Sequence, residues 1–241
     1  MLITSINNDK IKDIVKLKDK KYRDKNNLFF VEGIDLVMEA YKSGVLTNLL
    51  ILEGENLPFD DIPYSYITID VMKKISDMES ISPYFGVCHK IDNKTVGNKI
   101  ILLDRVQDPG NIGTIIRSAV AFNFDTVVLG DGCADLYNPK VIRSTKGMLF
   151  NIGIIQRNLE DFIHSLDGYT IYGTDVTNGN NIIKENIPLK IALVIGNEGQ
   201  GISNEIKELC DKFLYIDMSN KCESLNAGVS ASILMYEVMK K

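Results

Sequence analysis

From residue 98 onward the chain repeats one pattern: a short continuous apolar run, a turn, then a stretch with helical spacing. Runs at 100–104, 126–129, 151–156, 170–174, 191–195 and 213–216 read as strands, and 112–123, 138–146, 159–166, 203–210 and 225–239 as helices between or after them. Strands that are apolar at every position are buried on both faces, and strands joined through helices run parallel. The pattern therefore predicts an α/β fold with a mostly parallel sheet covered by helices on both faces. Before residue 92 the elements are less regular. Leu-Phe-Phe-Val at 28–31 reads as a strand running into a helix from Glu32 to about Ser43, stopped by Gly44. Further strands are expected at 48–52, 65–69 and 84–88, with a short helix near 70–77. The polar stretch Asp92-Asn93-Lys94-Thr95-Val96-Gly97-Asn98 reads as a linker. Two α/β domains follow, 1–95 and 96–241.

Composition excludes several function classes. The chain has no apolar window of membrane-spanning length and begins with neither a basic nor an apolar leader, which predicts a soluble cytoplasmic protein with no membrane partner. Cys88, Cys133, Cys210 and Cys222 stand singly, and His89 and His164 are the only histidines. Neither a disulfide framework nor a metal site is expected. The net charge of −5 is unevenly spread: residues 1–25 hold eight Lys/Arg against four Asp, a local excess that includes Lys18, Lys20, Lys21, Arg23 and Lys25. A phosphate backbone responds to the local field, so this segment is a candidate nucleic-acid contact; a solvated helix face with mixed charges is the alternative.

Three segments of the second half differ from ordinary scaffold. In Asp108-Pro109-Gly110-Asn111-Ile112-Gly113, Asn111 sits where a helix N-cap belongs, and Ile112, Ile115, Ile116, Ala119 and Val120 form the buried stripe that follows. Arg117 falls off that stripe, beside Thr114 and Ser118, where it can meet phosphate or carboxylate or simply face solvent. In Gly196-Asn197-Glu198-Gly199-Gln200-Gly201, a buried strand ends in three glycines around one carboxylate, with Ser203 available to cap the next helix. The spacing fits neither a phosphate loop nor a dinucleotide fingerprint. In the third segment, Ile216 to Asn226 forms a polar loop before a helix rich in small residues. That helix is apolar around its circumference from Val229 to Met239. Such a helix must bury more than one side, and a second copy of the chain is one way to do so.

In this order the three segments resemble the motifs of the SpoU (TrmH-type) RNA 2′-O-ribose methyltransferases of the SPOUT superfamily. Asp108 through Phe124 is similar to the first motif, Gly196, Glu198 and Gly201 to the second, and Ile216 to Glu237, with Ser224-Leu225-Asn226, to the third. Arg23, Lys25 and Phe29-Phe30-Val31-Glu32-Gly33 resemble the family's substrate-binding domain. Asp217 and Asn220 stand where the third motif has Pro and Gly.

The apolar circumference of the last helix predicts a homodimer, while the resemblance implies a deep C-terminal trefoil knot, S-adenosyl-L-methionine as cofactor and a structured RNA substrate, 23S ribosomal RNA first. It implies cofactor contacts at Thr174, Gly196, Ile216, Met218 and Leu225, and active-site roles for Asn111, Arg117, Glu198, Ser224 and Asn226. RNA contacts would come from Lys18, Lys20, Lys21, Arg23, Lys25 and Arg117, and no metal is implied. Transfer RNA, a ribosomal resistance site, or a non-catalytic role in RNA-binding assembly are the alternatives.

Overall fold

The computed structural model describes residues 1–92 and 94–241; of the expected linker, Asn93 lies outside the described residues. Two compact units form. The first comprises Met1–Ile91 with Asp135–Phe150, the second Asp92–Ala134 with Asn151–Lys241.

In the first unit, β1 (Leu2–Ile3), α1 (Asp9–Lys16), α2 (Lys20–Asn26), β2 (Leu28–Glu32), α3 (Ile34–Lys42), β3 (Leu46–Leu52), β4 (Tyr64–Ile67), α4 (Ile69–Ile75) and β5 (Tyr84–His89) follow one another. The sheet order is β1-β4-β3-β5-β2, with β5 antiparallel to both neighbours and the other pairs parallel. The basic N-terminal segment is two helices. Asn8 caps α1 by accepting from the Lys10 amide, and Asp19 caps α2 by accepting from that of Lys21. Ile11, Ile14 and Leu17 turn inward onto Phe30, Leu50, Ile67, Val71, Met72, Ile75 and Phe85. The helix expected from Glu32 begins later, because Glu32 ends β2 and Gly33 takes a φ of +103°. Glu32 is buried there, its carboxylate accepting from the Ser76 hydroxyl at 2.6 Å and the Asp77 amide at 3.0 Å.

The second unit holds β6 (Lys99–Leu103), α5 (Pro109–Ala121) and β7 (Thr126–Leu129); the chain then gives α6 (Pro139–Thr145) to the first unit. It returns for β8 (Gly153–Gln156), α7 (Leu159–His164), β9 (Thr170–Thr174), β10 (Asn180–Asn181), β11 (Ile191–Ile195), α8 (Asn204–Glu208), β12 (Lys212–Tyr215) and α9 (Ala227–Met239). The order β10-β12-β9-β11-β6-β7-β8 is parallel throughout. Central β11 is buried at every residue and pairs with β6 from Ile191↔Lys99 to Ile195↔Leu103. Because all strands point one way, the loops after β6, β9, β11 and β12 emerge on one edge, where α/β sheets place their sites. Among the described residues no helix is long and apolar enough to cross a membrane.

The compact units differ from a continuous division at residue 95: the first ends at Ile91, and residues 135–150 pack with it. The rings of Phe29 and Tyr137 lie 4.8 Å apart, Phe150 stacks on Phe29 at 6.4 Å, and Arg23 pairs with Asp135. Burying these aromatic faces outweighs sequence proximity.

Candidate active site

The loops after β9, β11 and β12, with the first turns of α9, enclose a cavity of about 380 Å³. Thr174, Gly196, Ile216, Met218 and Leu225 all line it, together with Glu198 and Ser224. Asp175, Val176, Ile202, Lys207 and Leu234 line it as well, and sequence reasoning missed them. Asp175 could have been found, since it directly follows the C-terminal end of β9; Lys207 lies on short α8 and carries no sequence signal.

The glycine loop is a tight antiparallel bridge. Asn197 and Gly201 exchange amide hydrogen bonds of 3.0 and 2.9 Å, and the Asn197 side chain accepts from the Gly199 and Gln200 amides while donating to the Arg105 carbonyl at 2.8 Å. A Cβ on Gly196 would collide with the backbone of Gly201 and Ile202. Gly196 is thus glycine because its own loop folds back over it, not only because a ligand approaches. Arg105, which accepts from Asn197, holds a φ of +56°, a conformation costly for a residue with a side chain. The buried Asp104 carboxylate accepts from the Ser203 amide at 2.6 Å and fixes the loop's exit. Ser203 occupies the N-cap position of α8, but its side chain makes no cap bond.

Glu198 ties this loop to the one before α5. Its carboxylate accepts from the Gln107 amide at 3.3 Å, the Asp108 amide at 3.1 Å and the Asn111 side-chain amide at 2.9 Å. Burial alone would raise its pKa, but the hydrogen bonds from Asn111 and from the amides of Glu198 itself, Asp108 and Gln107 outweigh burial and hold it below the ordinary carboxylate value. It is ionised at neutral pH and its lone pairs are committed, so it positions the loop and does not collect a proton.

The helix cap is not Asn111. Asp108 caps α5 by accepting from the Asn111 amide at 2.9 Å, with Pro109 in the first helical turn; Asn111 lies inside the helix, buried. Asn226 caps α9 by accepting from the Val229 amide at 3.2 Å. Gly228 lets α9 close on Thr114 and Asn111, and Ser118 and Ser232 share a 2.7 Å hydrogen bond across the α5–α9 contact. Asn111, Arg117 and Asn226 are not in the cavity lining; Arg117 is exposed on α5. Thiolate chemistry at Cys133 and Cys210 is disfavoured, because burial pushes them up to about 11 and about 12.

In the first unit Lys20, Lys21 and Lys25 are exposed. Lys18 is half-buried, donating to the Ser76 carbonyl at 2.8 Å and pairing with Asp77 at 3.1 Å. Arg23 departs from expectation. It is 3% exposed, donates to the Leu17 and Lys18 carbonyls at 2.8 Å each and pairs with Asp135 at 2.6 Å, so it serves the fold and does not present itself to RNA.

The glycine geometry gives a direct test. Gly196→Ala should displace residues 197–202, lower stability by about 1–3 kcal/mol as overpacking does, and weaken binding of the cofactor that the resemblance implies, S-adenosylmethionine, at least roughly tenfold in calorimetry. Gly199→Ala, whose Cβ would find only the Asn197 side-chain oxygen at 3.8 Å, should bind as wild type. Wild-type affinity in Gly196→Ala would show that the loop's backbone does not shape the cavity.

Comparison with known proteins places the chain clearly. Residues 98–236 match the SpoU rRNA Methylase family and residues 8–84 the MRM3-like substrate binding domain. The chain is 39% identical over 243 residues to the 23S rRNA (guanosine(2553)-2′-O)-methyltransferase RlmP of Bacillus subtilis (strain 168), covering 98% of each protein. Among solved structures, the AdoMet-bound rRNA methyltransferase of Sinorhizobium meliloti aligns with a TM-score of 0.89 and 25% identity, over 100% of this chain and 97% of that one. The SpoU methyltransferase AviRb of Streptomyces viridochromogenes in complex with AdoMet aligns at 0.86 and 25%, over 97% and 98%.

Proposed function

We propose, because this chain belongs to the SpoU rRNA Methylase family, that it transfers the methyl group of S-adenosylmethionine to a ribose 2′-hydroxyl of RNA, with 23S ribosomal RNA as substrate. The observation that carries this reading is the convergence of the second and third motif loops, with the loop after β9, on one cavity in a chain so similar to RlmP from end to end. The lining suits the cofactor. Ile195, Ile202, Leu214, Ile216, Met218 and Leu225 offer apolar surface to an adenosyl group, while Asp175 and Lys207 offer charges complementary to an amino-acid group. Bound there, S-adenosylmethionine supplies a methyl already activated on a sulfonium, so the protein's task is alignment and charge stabilisation. Glu198 holds the 107–111 loop in place. Arg117 anchors a substrate phosphate and stabilises the developing alkoxide through its planar fork of donors. Ser224, at the cavity wall, and Asn226, capping α9, keep the third loop in register.

The first unit supplies RNA affinity through Lys20, Lys21 and Lys25, with Lys18 at the margin. Ribosomal RNA as substrate locates the work in the cytoplasm.

The reading extends to two features of assembly. One is the trefoil knot, supported by the path of the chain. It crosses from β11 to β12 on the far side of β9, and α9 then comes back beside α5. The other is a homodimer. Val229 and Tyr236 are 46% and 45% exposed on one face of α9, where Tyr236 packs edge-on against Phe122 at the end of α5. Ala227, Ser230 and Leu234 on another face of α9 line the cavity. Sedimentation should show a dimer at micromolar concentration and a monomer for Tyr236→Asp; a monomeric wild type would remove this assembly.

The activity is tested by incubating the protein with methyl-labelled S-adenosylmethionine and unmodified 23S rRNA, then mapping the modified nucleotide. Transfer to a ribose 2′-oxygen is expected. Transfer to a base, to transfer RNA alone, or to nothing would overturn the reading.

A further inference from the structure

We infer that the first unit binds a single unpaired nucleotide of RNA in a cleft formed by α1, α2, β2, β3 and β5. The inference rests on the RNA-binding reading of this unit but names a site apart from its exposed Lys20 and Lys21. The cleft encloses about 790 Å³, within the range of ligand sites. Its floor is apolar, with Ile14, Leu17 and Val87 buried and Leu28 half-buried, and the half-buried Tyr22 lines it too. Lys10, Lys16 and Lys25 surround it. Lys16 is engaged by Asp13 at 2.8 Å. Lys10 has the Ser65 hydroxyl at 3.4 Å as its hydrogen-bond partner and no carboxylate partner among the described residues. Burial lowers its pKa, a sign that this ammonium is already partly stripped of water. Asn48 lines the same cleft, and its side-chain oxygen is buried with no donor among the described residues.

These features fit one ligand chemistry. A buried acceptor without a donor is costly, and an N–H on a base edge removes the cost. An apolar floor beside a tyrosine suits the face of a base, and ammonium groups at the rim suit the flanking phosphates. Paired RNA cannot use such a cleft, because its bases are stacked; an unpaired nucleotide can.

The test uses the full chain with two fluorescent probes: a single-stranded RNA heptaadenylate and an abasic ribose-phosphate oligomer of equal length. Heptaadenylate should bind more tightly. Tyr22→Ala should weaken heptaadenylate by roughly 5- to 150-fold, the range for losing one base–aromatic stack, and leave the abasic oligomer unchanged. Asn48→Ala should weaken heptaadenylate only. Lys10→Met should weaken both and lower the slope of log affinity against log salt by about 0.7. Wild-type binding of heptaadenylate by Tyr22→Ala and Asn48→Ala, or equal loss for both probes in Tyr22→Ala, would overturn the site. Methyl transfer to 23S rRNA, measured on the wild type, separates the two readings. Transfer without Tyr22-dependent binding sinks the cleft alone, and Tyr22-dependent binding without transfer sinks the methyltransferase reading alone.

Discussion

Arg117→Ala is expected to keep wild-type affinity for S-adenosylmethionine and to lose turnover by roughly 10²–10³, the scale seen when one preorganised donor is removed from a developing charge. The two halves of this expectation come from different observations. Affinity should hold because the cavity is lined by the loops after β9, β11 and β12 and by α9, and Arg117 is not among its residues. Stability should hold within about ±0.5 kcal/mol, because Arg117 is exposed while its neighbours Ile115, Ile116 and Ala119 are buried. Turnover should fall because an exposed guanidinium outside the cofactor cavity has a task only once RNA is present. Lys should rescue in part, keeping charge but losing the planar fork. Calorimetric cofactor binding beside single-turnover methylation of 23S rRNA decides the matter. A wild-type rate in Arg117→Ala would remove Arg117 from the mechanism, and parallel loss of cofactor binding would move it into the cofactor site.

What was legible in the sequence follows from what each signal depends on. Ile191–Ile195 was legible as a central strand because burial on both faces writes itself as unbroken apolar residues. The cavity residues on three separated loops were legible only through resemblance to known motifs; spacing along the chain says nothing about loops meeting at a sheet edge. Residues 1–25 were read at most as a solvated helix face, without bounds for α1 and α2, because the density of Lys and Asp conceals the inward spacing of Ile11, Ile14 and Leu17. Both caps were nevertheless present in the sequence, as Asn8 and Asp19. The Asn111 cap was misplaced by three residues because Asp108 and Asn111 are both good caps, and the structure gives the cap to Asp108, ahead of Pro109, while Glu198 recruits Asn111. No local signal could have moved residues 135–150 into the first unit, since the contacts that do so join Phe29 to Tyr137 and Phe150.

Arg23 carries that lesson furthest, and Arg23→Ala should cost about 3–5 kcal/mol of the first unit's stability, the range for removing one member of a buried ion pair. Its guanidinium satisfies two backbone carbonyls, those of Leu17 and Lys18, at the joint between α1 and α2, and the Asp135 carboxylate 112 residues away in sequence. Truncation leaves all three acceptors without this donor, and the side chains of the pair are only 4% and 14% exposed, so water cannot readily replace it. A surface arginine that merely meets phosphate behaves oppositely: its loss spares stability and lowers the salt dependence of RNA binding. Denaturant unfolding of wild type, Arg23→Ala, Asp135→Ala and the double variant separates these cases. The buried-pair account expects large single losses and a double variant much more stable than their sum predicts, with cofactor affinity unchanged because the cavity belongs to the other unit. An Arg23→Ala protein that unfolds within about 0.5 kcal/mol of wild type, yet binds RNA with a shallower salt slope, would return Arg23 to the RNA surface.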